Sequence, residues 1–568
     1  MSWALSTSGL AAWPIPRWRV NSRTLASGPF VDYEGGSTRV LSDARELAND
    51  QQVEADVCII GAGPAGISIA RELIGNGAQV WLLESGGRDA ERRAQRLNRG
   101  QSVGYPIRRP HQSRVRAFGG TPRHWFAHGD ESWAARPLDP IDFEVRPGIR
   151  YSGWPFDRAH LVPYYVQAQE VCQLGPFDYD PGRWADQERT PPLPLLPGAV
   201  ETTLFQHGTA DFDGYYLELV RAPNVTLVLH ASVVELATGG DPGWVDRVEV
   251  RREDGSRCFV RARLVVAAAG GIENPRLLLL SRRFHRNGLG NNHDLVGRFF
   301  AERMSARTGY IIPASPELIG RAGLYPVHEA APGVLVQGAL RVRDAVQRER
   351  QLLNCVFFLL PHNLSMMAEA VRSVATLAKA RQRRPLLAGM AGHLGNVATG
   401  LGDLGVFARH RLSRPDEARG VLALRVQGEQ APNPDSRVTL GTRRDRFGLP
   451  VAQVDWRPAA SDRASIRATQ EAIDEAFRGA GLGHVELMLG DEHPPTLMEG
   501  NFHHLGTTRM HTDPTMGVVD ADCRVHGVRN LYVAGSSVFP TYGCSNPTLT
   551  VVALALRLAD HLKKQLAG

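Results

Sequence analysis

The chain has 568 residues, 43% of them hydrophobic and 22% charged, a globular composition too long for one ordinary core, so two domains or one large domain with insertions is expected. Its net charge of +6 is carried almost wholly by arginine, with lysine only at positions 379, 563 and 564. No basic run is interleaved with aromatic residues, which argues against a nucleic-acid binder.

The N-terminal MSWALSTSGLAAWPIPRWRV has neither a basic start nor a continuous apolar core, and it lacks a twin-arginine pair. No signal peptide is read there, and a cytoplasmic location is the expectation. No apolar run approaches the roughly 18 to 20 residues that span a bilayer. Residues 1 to about 50 carry no clear periodicity and read as an arm. EADVCII (54–60) then reads as a short apolar strand that runs into GAGPAG (61–66). Ile67, Ile69, Ala70 and Leu73 share one face of the helix that follows, and Gly75 and Gly77 end it. QVWLLE (79–84) is a second strand closing on Glu84, which completes a β-α-β unit.

Residues 100 to 200 are rich in Pro, Trp and Tyr and read as loops. Strands are predicted over 225–270, with a hairpin turn at Asp254-Gly255. Residues 366–412 look helical and amphipathic, 437–456 alternate like strands, and 461–481 form another helix. The C-terminal TVVALALRLADHLKKQL is a helix with cations in its last turns, where the helix dipole favours them. The six cysteines, at 58, 172, 258, 355, 523 and 544, show neither a C-x-x-C pair nor zinc spacing. They read as reduced thiols, with no metal expected.

Gly61, Gly63 and Gly66 form G-x-G-x-x-G between the first strand and its helix. The first glycine permits the tight turn, the second lets a pyrophosphate approach the backbone, and the third lets helix and strand pack closely. The helix N-terminus offers free N–H groups to phosphate. Glu84, at the end of the second strand, is placed to take ribose hydroxyls. The bland alternative is a glycine turn in some other α/β protein. The motif alone does not separate FAD from NAD.

Four further segments do: AFGGTPRHWFAH (117–128), VVAAAGGIENPRLLLLS (265–281), NFHHLGTTRM (501–510) and the stretch 517–560 containing PTYGCSNPTLT. With GAGPAG they resemble the glucose–methanol–choline (GMC) family of flavin oxidoreductases, and most of all its bacterial sugar dehydrogenase and pyranose oxidase branch. The likeness is specific in the first 130 residues, around 225–300 and in the last 70; it is weak between about 305 and 430, and APNPDSRVTL (431–440) again looks like the family.

The resemblance implies an α/β fold with a discontinuous Rossmann-like FAD-binding domain and an α+β substrate-binding domain containing an antiparallel sheet. The boundaries it suggests are an arm at 1–50, an FAD domain from 51–130, 200–305 and 498–568, and a substrate domain from 131–199 and 306–497. It implies FAD, with Gly61, Gly63, Gly66 and Glu84 on the ADP half and Val233 as a candidate backbone contact to adenine. Gly119 and Gly120 would pass the flavin. Ala534, Gly535 and Ser536 would approach the pyrophosphate and ribityl chain, and Thr548 would face the pyrimidine end of the ring. In some members the histidine at the place of His124 links covalently to the flavin; a non-covalent histidine beside the ring is the alternative. Phe126 stands where oxidase relatives often carry a small polar residue, which favours a dehydrogenase.

The family's base lies three residues before the Gly of H-x-x-G-T, which is His503 here, before Gly506 and Thr507. His504 is then a supporting residue or the reserve base. Asn546, in PTYGCSNPTLT, takes the partner position that would orient the substrate oxygen; the bland reading is a turn-forming Asn before Pro547. The chemistry implied is oxidation of an alcohol by proton abstraction and hydride transfer to flavin N5, because a hydroxyl proton needs a base within reach. A sugar, glycoside or polyol is the substrate the branch suggests, with oxygen or another electron acceptor. Trp133, Tyr151, Trp154 and Phe357 are aromatic residues that could stack on a sugar face, with core packing the expected role of each. Natural-product tailoring on a sugar-like scaffold, an FAD-containing lyase and a non-enzymatic flavin-binding module are the competing readings.

Overall fold

The computed structural model describes residues 43–105, 107, 110–123, 132–186, 189–362, 420–487, 499–500 and 502–568. His124, Phe126, the expected helical stretch 366–412 and most of the N-terminal arm lie outside the described residues. Val40–Pro361 and Leu422–Gly568 form one unit. Among the described residues no helix is long and apolar enough to cross a membrane, and no group of three or more His, Cys, Asp or Glu is placed to hold a metal.

The first strand, Gln52–Ile60, is almost wholly apolar from Val57 onward because neighbours cover it on both sides. It pairs in parallel with Val80–Leu83, matching Ile59 to Leu82. On its other side it pairs in parallel with Arg257–Ala267, matching Ile59 to Val266. The described sheet has seven strands. Val225–Val228 stands at one edge, and the antiparallel strands Val245–Arg251 and Ser232–Thr238 lead to the other. The last strand in sequence, Leu531–Val533, also joins Arg257–Ala267 in parallel, with Val533 opposite Ala267. Segments nearly 500 residues apart in sequence, on this count 52 against 531, thereby share one sheet.

A second described sheet has nine strands in antiparallel pairings. Val200–Gly208 belongs to it, pairing with Val334–Val342, although the sequence placed 200–208 with the cofactor segments. The stretch 100–200 is less irregular than its composition suggested: Arg158–Val171 is a helix despite Pro163, with Asp157 capping it by accepting the His160 N–H. Trp133, Trp154 and Phe357 are buried, and Trp154 donates its indole N–H to the Thr541 carbonyl at 3.2 Å. Those three are packing residues.

Two clasps position the site. Met304 and Ser305, which open the strand Met304–Pro313, pair antiparallel with Gly500 and Glu499. Ala301 and Leu505 exchange both backbone hydrogen bonds, at 3.0 and 3.1 Å. Glu302 and Arg303 therefore face the chain that carries His503 and His504. Beyond them, Gly506, Thr508 and Met510 donate their N–H groups to the carbonyls of Ser536, Ser537 and Val538.

Two glycines of the nucleotide loop hold it together by their lack of a side chain. A Cβ on Gly66 would fall 1.9 Å from the Gly61 carbonyl oxygen, and one on Gly61 would fall 2.7 Å from the Ala268 oxygen. At Gly63 no atom lies within 4 Å of that position. Gly66→Ala is expected to lower stability by about 1–3 kcal/mol through overpacking, whereas Gly63→Ala is expected to leave the denaturation midpoint near wild type and weaken flavin retention. Denaturant titration together with flavin absorbance after gel filtration checks both.

Candidate active site

The nucleotide end comes first. Gly63 caps the helix Pro64–Glu72, whose proline occupies the first turn where no N–H partner is needed. Glu84 is buried; one carboxyl oxygen accepts the Ala62 N–H at 3.0 Å and the other the Gly86 N–H at 2.9 Å. Burial raises its pKa, and those two N–H groups oppose the rise. The acid thus also braces the glycine loop. Gly119 and Gly120 adopt φ of 87° and 68°, and Gly119 donates to the Ala62 carbonyl at 2.9 Å. A Cβ on Gly120 would meet Gly63 Cα at 2.9 Å.

Val233 lies in the strand Ser232–Thr238, just after Ala231, whose N–H binds the Glu84 carbonyl. Ala534 is buried, and its N–H binds the Ala267 carbonyl at the end of the parallel sheet. Gly535, at φ 104°, has no atom within 4 Å of a would-be Cβ. Thr548 is buried in the first turn of the C-terminal helix Pro547–Ala567. Open space beside Gly63 and Gly535, at a helix N-terminus and the ends of parallel strands, fits a dinucleotide pyrophosphate.

The second cluster is where NFHHLGTTRM meets residues 300–303. It holds two deeply buried charged side chains on the 300–303 side, Glu302 and Arg303, 1% and 2% exposed. Glu302 accepts the His503 backbone N–H at 3.0 Å on one oxygen, and its other oxygen lies 3.2 Å from His504 Nε2. His504 Nε2 is also 3.3 Å from Ser113 Oγ, and its ring stacks on Phe300 at 6.0 Å between centroids. The His504 carbonyl accepts the Ser536 hydroxyl at 2.7 Å, and a Cβ on Gly271 would strike it at 2.2 Å. His504 is therefore fixed on every side.

Desolvation pushes the Glu302 pKa up to about 8 against the partial relief given by the His503 N–H and Arg303. Burial, with Arg114 adding to it, pushes His504 down to about 3. The pair is thus neutral at pH 7, with the protonated carboxyl donating to the imidazole. His503 is held well below the ordinary histidine value by desolvation first, then by Arg303 and His504. It is a neutral imidazole, able to accept a proton, and its buried Nδ1 has no partner.

Asn546 is half-buried at the start of the C-terminal helix, yet its side chain makes no capping bond. Its Oδ1 accepts instead from Arg303 Nη1, which also donates to the Cys544 carbonyl at 3.2 Å. Consecutive residues reach the two segments: Glu302 accepts the His503 backbone N–H, and Arg303 donates to the Asn546 carboxamide. Neither had a signal in the sequence beyond being a charged pair inside the apolar run FFAERM, and the pairing of that run with the chain before His503 is long-range.

A dinucleotide loop on a parallel sheet, in one unit with a neutral imidazole and a carboxamide, suits an FAD-dependent oxidoreductase acting on CH–OH groups. Residues 56–287 match the family model described as FAD dependent oxidoreductase, and 432–555 the model described as GMC oxidoreductase. The C-terminal part of the chain thus matches the GMC oxidoreductases. A 2-methyl-1,2-propanediol dehydrogenase of Mycolicibacterium austroafricanum is 25% identical, over 90% of this chain and 96% of that one. The 6'''-hydroxyparomomycin C oxidase of Streptomyces lividus is 26% identical, over 90% and 92%. A crystal structure of formate oxidase shares the fold, with a TM-score of 0.52 at 17% identity over 91% of this chain and 99% of that one.

Because the Glu302 carboxyl has a higher pKa folded than unfolded, its contribution to stability is present below pH 4.5 and is lost as pH rises toward 8. Glu302→Gln keeps a donor for His504 and an acceptor for the His503 N–H without ionising. The expected outcome is a melting temperature close to wild type at pH 5 and above it at pH 8.5, checked by paired thermal scans.

Proposed function

We propose that this protein oxidises an alcohol on a sugar, glycoside or polyol to the carbonyl, with His503 as base and Asn546 orienting the substrate oxygen. The observation that supports it most is the neutral His503 tied through Glu302 and Arg303 to Asn546. An alcohol proton has a pKa far above 7, so it must pass to a positioned base as the C–H bond breaks. His503 takes that proton; its unpartnered nitrogen and lowered pKa suit it to arrive uncharged. Asn546 donates to the oxygen on which negative charge develops. Bound FAD supplies the hydride acceptor, held by Gly61, Gly63, Gly66, Glu84, Gly119, Gly120, Val233, Ala534, Gly535 and Thr548. His504, packed between Phe300, Ser113 and Glu302, acts as support.

The substrate class follows the relatives, which include aminoglycoside oxidases and a fructose dehydrogenase large subunit. A tailoring oxidation on an aminoglycoside-like scaffold uses the same chemistry in a different pocket. We place the cofactor part in 51–130, 209–305 and 498–568 and the substrate part in 131–208 and 306–497, since Val200–Gly208 is a strand of the antiparallel sheet. A dehydrogenase using an acceptor other than oxygen, FAD either linked through His124 or held non-covalently beside it, and a cytoplasmic location complete the reading.

His503→Ala is expected to retain flavin and slow anaerobic bleaching by a reactive sugar or polyol roughly 100- to 10,000-fold. Unchanged bleaching in that variant moves the base to His504. Turnover of a sugar panel with a dye acceptor and with oxygen decides dehydrogenase against oxidase, and a yellow acid-precipitated pellet identifies a covalent flavin.

A further inference from the structure

Arg303 is a cation without a counter-ion. It is 2% exposed, and no carboxylate among the described residues lies within salt-bridge distance of it. Desolvation pulls its pKa down to about 9, so it stays charged at neutral pH. Its Nε is buried with no acceptor, and Nη1 serves the Cys544 carbonyl and Asn546 Oδ1. Burying a guanidinium this way costs several kcal/mol relative to an apolar residue, so packing alone is a poor account of it.

The geometry of Asn546 supplies a better one. A guanidinium has donors only, so the carboxamide atom facing it must be the oxygen. The amide turned the other way would set N–H against N–H. An Asn that begins a helix ordinarily spends its side-chain oxygen on the first turn's N–H groups; here that bond is absent because the oxygen is committed to Arg303. Asn546 Nδ2 has no hydrogen bond among the described residues, so both its N–H bonds remain to be offered. A developing alkoxide needs a donor, and an Asn free to flip would present its oxygen to that charge part of the time.

We propose that Arg303 is a positioning residue: it takes Asn546 Oδ1, so that the carboxamide presents only its N–H bonds to the substrate oxygen, and it lays an unbalanced positive charge beside His503. This rests on the alcohol-oxidation reading above. The Glu302 carboxyl takes the His503 backbone N–H, the His504 ring and Arg303 act electrostatically on His503, and Arg425, on the neighbouring strand Val421–Gly428 and donating to Ser305 Oγ, acts on Arg303. Of these, Arg303 is the charged group that acts directly on His503.

The test uses the flavin-loaded protein and the variants Arg303→Met, Arg303→Lys, Asn546→Ala and the Arg303→Met/Asn546→Ala double. Arg303→Met is expected to keep its flavin and lose roughly 100-fold in kcat rather than in KM, as when an oxyanion donor is removed. Arg303→Lys, still a donor and a cation, is expected to recover all but about tenfold of the loss. The double variant is expected to match Asn546→Ala to within about twofold, since the arginine acts through the amide. Losses that multiply in the double variant overturn the positioning role. Histidine-labelled NMR gives a reading without turnover: the His503 titration is expected to move to higher pH in Arg303→Met, and an unmoved titration overturns the electrostatic half. Wild-type protein that no alcohol bleaches defeats the functional reading instead, and the NMR titration then still judges Arg303.

Discussion

A short antiparallel clasp holds the candidate site together. Ala301 faces Leu505 and Met304 faces Gly500, so the two residues between, Glu302 and Arg303, stand across from His503 and His504. Slipping such a pairing by one residue turns every side chain to the opposite face. Here that would exchange the carboxyl and the guanidinium, leave the His503 N–H unanswered and release Asn546. The register is held from outside by Tyr542, whose hydroxyl donates to the Glu302 carbonyl at 3.1 Å, and by Gln430, which accepts the Glu302 N–H at 3.3 Å. Two ionisable groups are sunk into the protein, and they are tolerated because each is spent on a neighbour in the site.

The nucleotide end obeys a different constraint, one of bare proximity. Gly66 against Gly61, Gly61 against Ala268 and Gly120 against Gly63 are approaches of backbone to backbone that any side chain would block. They draw the glycine loop, the 117–120 turn and the strand Arg257–Ala267 into one cradle. Glu84 locks it by bonding Ala62 and Gly86. The two constraints meet at the Gly270–Gly271 turn, where the Thr507 hydroxyl donates to the Gly271 carbonyl at 2.7 Å and Gly271 leaves room for the His504 carbonyl.

Much of this was legible in the sequence where the signal is local. The strand–glycine–helix–strand–acid order over 52–84 is written in consecutive residues, and so are the Asp254-Gly255 hairpin and the C-terminal helix. His503 and Asn546 stand out as candidates through their motifs. Glu302 and Arg303 were not, because their meaning depends on a partner some 200 residues away, and a charged pair after two phenylalanines reads as a surface turn. The helix Arg158–Val171 was hidden by Pro163, which lies inside it, and by the aromatic residues that its composition shares with loops. Trp154 illustrates the converse: an aromatic side chain that looks ready for a ligand is occupied by the Thr541 carbonyl and by Phe143, Phe156 and Phe539.

The strand Leu531–Val533 is the last to enter the parallel sheet, laid against Val265, Val266 and Ala267. A nascent chain emerging from the ribosome can form the first β-α-β unit early, since its contacts are local. The edge of Arg257–Ala267 that awaits this strand then stays bare through some 260 further residues of synthesis, apolar and competent for pairing with strangers. The parallel sheet is thus completed late, after a long interval in which that apolar edge is open to mispairing.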